Sequence, residues 1–174
     1  MTLTVPNPPT EVPGNFITSA WSNANILNGL NFLANPPIFS AAQTSVQALA
    51  NGAFVAVTWP TPAYDPYGGY AAGNPSRYTP TAPGWYFAIG NIGWASNATG
   101  GRVAEICKNG SANVVNQVAA GNAGAAFNTV AGVVSLVQCN GTTDYFELYS
   151  DQNSGGPLNS VIAVTSLTVL WAHA

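Results

Sequence analysis

Apolar positions recur along this chain with two different periods, and the change of period divides it. Over residues 18–34 the apolar residues Trp21, Ala24, Leu27, Leu30 and Leu33 return every third position, with Ile26 beside them and Asn23, Asn25, Asn28 and Asn31 on the remainder. That spacing predicts a helix with one apolar stripe. Thr18 or Ser19 can cap it, and Asn35-Pro36-Pro37 ends it, because proline disfavours the helical conformation in the residue before it. From residue 38 onward the period drops towards two, and short runs are separated by turn residues such as Asn51-Gly52, Asn109-Gly110 and Asn140-Gly141. The runs at 39–49, 53–59, 102–108, 114–119, 127–138, 145–150, 161–164 and 167–171 read as strands. A Pro-, Gly- and Tyr-rich loop fills residues 60–82.

The strand expected within residues 83–94 is the centre of this pattern. Trp85, Phe87 and Ile89 share one parity, and Tyr86, Ala88, Ile92 and Trp94 largely share the other. A strand apolar on both faces is expected to be covered on both faces. Gly90 and Gly93 leave room for a close neighbour or a bulge. The run at 127–138 has the same two-sided character near its end, at Val133, Val134, Leu136 and Val137. Regular turn spacing, eight to ten short strands and little helix imply a β-sandwich or jelly roll. No self-similar repeat is apparent. Residues 1–37 form one segment, an extended arm followed by the helix, and residues 38–174 form the β domain. Pro6, Pro8, Pro9 and Pro13 prevent helix in the arm and discourage a central strand.

Composition sharpens the picture. Hydrophobic residues make up 47% of the 174-residue chain but charged residues only 5%, far below the roughly 25% usual for soluble domains. Uncharged Gly, Asn, Ser and Thr must supply most of the polar surface, which suits a member of an assembled particle. Net charge is −3, and Arg77, Arg102 and Lys108 are the only strong cations. No basic patch exists to neutralise a nucleic-acid backbone. No apolar run has the length that spans a bilayer, and no secretory leader pattern is present.

Candidate chemistry is sparse. His173 is the sole histidine, so any catalytic triad would have to use it. Asp144 and Glu147 fall on opposite sides of a strand, and their spacing does not form a paired-carboxylate site. Cys107 and Cys139 lack the partners of a zinc site; they read as free, half-buried thiols, or as a disulfide should their two strands be neighbours. No catalytic residue, cofactor site or metal site is expected, and the carboxylates read as turn caps. Trp59, Tyr64, Tyr67, Tyr70 and Tyr78 cluster around the long loop and either bind carbohydrate or protein there or pack the loop down.

Two resemblances add to this reading. Residues 84–89, 102–110, 133–136 and 144–148 resemble the strands of the C1q/TNF-like jelly roll, with Thr143-Asp144 standing where that family has Gly-Asp. Trp21-Ser22-Asn23-Ala24-Asn25, Asn35-Pro36-Pro37, Asn74-Pro75-Ser76-Arg77 and Asn97-Ala98-Thr99-Gly100-Gly101-Arg102 are similar to small virion proteins of tailed bacteriophages. The resemblances imply an all-β C1q/TNF-like jelly-roll sandwich with an N-terminal extended arm and one short helix. They imply a non-enzymatic virion structural protein: a head decoration protein, or alternatively a minor tail or fibre protein that binds a host receptor or cell-surface glycan. The implied partners are further copies of the chain, as a homotrimer centred on Tyr145, Glu147 and Tyr149, and the major capsid protein or another virion protein. Nucleic acid and membrane insertion are not implied. Attachment would run through the arm and through Trp21, Leu27 and Leu30, and the location would be the virion surface, assembled in the host cytoplasm.

Overall fold

The computed structural model describes residues 5–10, 12–121, 124 and 126–174. The first four residues and residue 11 of the expected arm, and residues 122, 123 and 125 of the expected connection, lie outside the described residues. Ten strands come after the helical segment: β1 (Ile38–Ala42), β2 (Ala48–Leu49), β3 (Val55–Ala56), β4 (Gly84–Trp94), β5 (Arg102–Lys108), β6 (Val114–Ala120), β7 (Thr129–Cys139), β8 (Phe146–Gln152), β9 (Leu158–Asn159) and β10 (Ser166–His173). The first sheet has the order β1-β10-β4-β7 and the second β3-β8-β5-β6, all antiparallel, and β2 pairs with β9 apart from both. The chain is therefore an all-β jelly-roll sandwich with one short helical segment. Its longest strands, β4 and β7, lie side by side.

The inner faces of the sheets enclose one core. Tyr86, Ala88, Ile92 and Trp94 of β4 meet Ile106 of β5 and Phe146 and Leu148 of β8, all buried. Burying each large side chain contributes roughly 1.5–3 kcal/mol. The expected role of Gly90 as a close-approach point holds: a Cβ there would overlap Leu148 Cδ1. The Trp94 indole N–H donates to Ser150 Oγ at 2.8 Å and ties the two sheets together. Arg102 is fully buried, and its guanidinium donates to the carbonyls of Asn97, Thr99 and Gly101. The Asn-Gly turns fall where expected, with Asn109 at φ 59° and Gly52, Gly110 and Gly141 also at positive φ.

Several boundaries differ from the pattern-based expectation. The run at 39–49 is two strands, because Gln43 and Gln47 turn inward to serve the loops. Gln47 Nε2 donates to the Ala56 carbonyl and its Oε1 accepts from the Thr58 amide. Residues 161–164 form a turn, with the amides of Val164 and Thr165 donating to the Val161 carbonyl, so the last strand starts at Ser166.

The helix is capped as expected, with the Trp21 amide donating to Thr18 Oγ1 at 3.1 Å, and it ends at Asn35. It is not one regular α-helix. Ser19–Ser22 and Asn28–Ala34 are α-helical, and Asn23–Leu27 between them is a π turn. A π turn holds more residues than an α turn and rotates the next turns of helix about the axis. The expected single stripe is split, because a strict three-residue repeat drifts by about 60° per step around a helix of 3.6 residues per turn. Trp21 is half-buried, whereas Ile26, Leu27, Leu30 and Leu33 face outward. Phe32 alone is fully buried, its ring edge-on to Trp171 with centroids 4.8 Å apart. The helix thus docks at one end of the sandwich and does not lie over a sheet.

Candidate functional site

That placement corrects the expectation of two-sided cover for β4 and β7. Tyr86, Ala88, Ile92 and Trp94 enter the core, but Trp85 and Phe87 remain 37% and 44% exposed. On β7, Val133 and Val137 are buried, whereas Val134 and Leu136 are 53% and 48% exposed. The two uncovered faces are one surface. The register aligns Ile38, Leu170, Phe87 and Leu136 in one row across four strands, and Ser40, Thr168, Ile89 and Val134 in the next. A third row holds Ala42, Ser166, Asn91 and Gly132. No position in these rows carries a charge. At the end nearest the helix, Trp85, Phe87, Leu136, Ala172 and His173 line a depression of about 320 Å³. The apolar part of this face, Ile38, Leu170, Phe87, Leu136, Ile89 and Val134, is depleted of charge in the way the cores of interfaces are.

The second sheet places the other expected residues. Phe146 and Leu148 enter the core, and Glu147 and Tyr149 face the opposite way from β8. Glu147 is only 2% exposed, and its carboxylate already has partners within the chain. It accepts from Ser76 Oγ at 2.7 Å, Arg77 Nε at 3.3 Å and Tyr149 Oη at 3.2 Å. Tyr145, just before β8, lies under the Arg77 guanidinium, 4.2 Å from its ring centroid. This trio is knit into its own chain, and the uncovered apolar surface is on the other sheet. Of the expected attachment residues, Leu27 and Leu30 are exposed and Trp21 turns towards the body.

The carboxylates mostly serve structure. Asp65 accepts from the Gly69 and Tyr70 amides and closes the turn of the long loop. Asp144 pairs with Lys108 at 2.9 Å and accepts from Asn109. Glu105 is different: it is 2% exposed and its Oε2 has no hydrogen-bond partner. Burial, with the Asp151 charge nearby, raises its pKa. Strand parity could not reveal this, because Glu105 sits on the outward face and is enclosed by its neighbours. Cys107 and Cys139 are free and buried, and burial pushes both thiols up to about 12. Among the described residues no group of three His, Cys, Asp or Glu side chains could hold a metal ion, and no helix is long and apolar enough to cross a membrane.

The aromatic loop residues divide. Trp59 and Tyr78 are fully buried, and Tyr78 stacks on Phe39 at 4.5 Å. Tyr70 donates to the Trp59 carbonyl at 2.5 Å. Tyr64 and Tyr67 instead line a cleft of about 570 Å³ between the loop and the helix.

The architecture defines a TNF-like jelly roll. Solved structures share it: murine APRIL matches with a TM-score of 0.60 at 8% identity, over 78% of this chain and 98% of that one. Eiger TNF from S. frugiperda matches with a TM-score of 0.58 at 11% identity, over 79% of this chain and 95% of that one. No protein-family model and no curated protein matches the sequence. The likeness is thus one of fold.

Proposed function

We propose that this chain is a non-enzymatic structural protein that self-associates as a homotrimer and is held on a larger assembly by its arm and helix. The observation that carries the reading is the charge-free face of the first sheet, which leaves Trp85, Phe87, Val134 and Leu136 in water in the single chain. Further copies of the chain are its natural cover, because the face is uncharged and built on the two longest strands. The centre of association is thereby moved from Tyr145, Glu147 and Tyr149 to β4 and β7.

The larger assembly is a bacteriophage virion, and the chain decorates its head. Support comes from the similarity of residues 21–25, 35–37, 74–77 and 97–102 to small virion proteins, and from a chain in which only 5% of the residues are charged. The helix contributes a free stripe, Ile26, Leu27, Leu30 and Leu33, continuing from exposed Phe16 and Ile17. Burying such side chains against a shell protein is worth roughly 1.5–3 kcal/mol each. The test is co-sedimentation with particles lacking the protein. The full chain should bind, and a chain without residues 1–15 should remain folded and oligomeric but bind weakly. Undiminished binding would place the attachment surface on the β domain.

A further inference from the structure

The cleft between the helix and the long loop has a chemistry that self-association does not use. Its walls are rings held in place through the backbone. The Tyr64 amide and carbonyl exchange hydrogen bonds with Ser40, so Tyr64 extends the first sheet beyond β1. Tyr67 sits in the turn closed by Asp65, and its hydroxyl donates to the Asn35 carbonyl. Trp171 is fixed by Phe32, by its indole N–H donating to the Pro83 carbonyl at 3.1 Å, and by its amide donating to Pro37. Opposite these rings, Asn28 and Asn31 lie one turn apart on the helix and line the same cleft. Their side-chain amides make no hydrogen bond to the described residues, whereas many other amides of the chain are engaged. No lining residue is charged.

From this we propose that the cleft binds a neutral saccharide. Each free amide offers a donor pair and an acceptor, which matches the paired hydroxyls of a sugar ring. Aromatic rings offer flat apolar surface to its C–H face. The volume, about 570 Å³, lies within the usual range of small-ligand sites, roughly 300–1,000 Å³. The lack of any cation leaves nothing to pair a sialic or uronic acid or a phosphate. The rings and prolines need no rearrangement, so little ordering opposes binding. The cleft shares Ile38 and Leu170 with the outer face of the first sheet, but Asn28, Asn31, Tyr64 and Tyr67 lie outside the rows of that face.

The test uses the full chain on an array of neutral and acidic glycans, with saturation-transfer NMR on the neutral glycans that score. Neutral glycans should bind and sialylated ones should not. Asn31→Ala and Tyr64→Ala should each weaken binding about tenfold, the loss expected for one well-made polar or stacking contact. Phe127→Ala, at an exposed position outside the cleft, should leave binding unchanged. Asn28→Ala, at an exposed helix position lining the cleft, repeats the test should Tyr64→Ala fail to fold. Three outcomes would overturn the proposal: no neutral glycan above background, binding unaltered by the Asn28 and Asn31 substitutions, or binding only of a proline-rich peptide copied from residues 5–15.

Discussion

Replacing Phe87 with Asp places a carboxylate in the centre of the first sheet's outer face without touching the core. Trp85, Phe87, Val134 and Leu136 retain 37–53% of their exposure in the single chain. Covering what remains is worth about half of the full burial term, or roughly 1 kcal/mol per side chain. The four together supply roughly 4 kcal/mol per protomer, comparable with the lower estimates of the entropic cost of association. Removing one ring therefore matters, and adding a charge matters more. An unpaired buried carboxylate costs several kcal/mol even after relaxation. No lysine or arginine is free to meet it: Arg77 serves Glu147, Arg102 is buried beneath the 97–101 turn, and Lys108 serves Asp144, which leaves only the His173 ring in the same depression. The expected loss exceeds about 3 kcal/mol per protomer, at least 100-fold in dissociation constant. Light scattering at micromolar concentration should give about three times the 17.9 kDa monomer mass for the parent chain and the monomer mass for Phe87→Asp. Near-UV circular dichroism should be preserved. A monomeric parent, or a variant that assembles equally well, would refute the reasoning.

Two further outcomes are expected of buried titratable groups. Glu105 has its folded-state pKa raised by burial and by Asp151, so the folded chain holds that proton more tightly than the unfolded one. Its contribution is fully present below the unfolded value and is lost as pH rises through the folded one. Glu105→Gln, which cannot ionise, should flatten that decline; equal pH dependence of the urea midpoint for both chains would count against it. Cys107 and Cys139, with thiols pushed up to about 12 by burial, should resist a thiol reagent in the folded chain and react once denaturant is added. Reaction without denaturant, or none with it, would contradict the free, buried state.

The strands and turns were legible because they rest on local rules. Asn-Gly pairs mark positive φ, alternation marks a sheet, and proline marks the end of the helix. Burial was only half legible. Trp85 and Phe87 are apolar whether a helix, a second sheet or a second chain covers them, so composition alone could not distinguish cover within the chain from cover by another. The decisive observation is the pairing of Phe87 with Leu136 and Ile89 with Val134, residues distant in sequence. The helix misled for a different reason. Its three-residue spacing does not hold one face, because each step falls about 60° short of a full turn at 3.6 residues per turn, and Trp21 and Leu30 come to lie on different sides. The cleft was legible only as a cluster of aromatics. The asparagines opposite them belong to the helix, more than 30 residues earlier.

The position of β10 sets a timetable for biosynthesis. This strand lies between β1 and β4, so the first sheet is in two pieces until residues 166–173 have been made. β4 and β7 can pair earlier as a ribbon, but β1 has no partner in that sheet until β10 arrives. A nascent chain thus carries its apolar ribbon, from the completion of β7 at residue 139 until β10 begins at residue 166, without the rest of the sheet beside it. A stop codon before residue 166 would not trim an edge; it would withdraw the middle of the sheet.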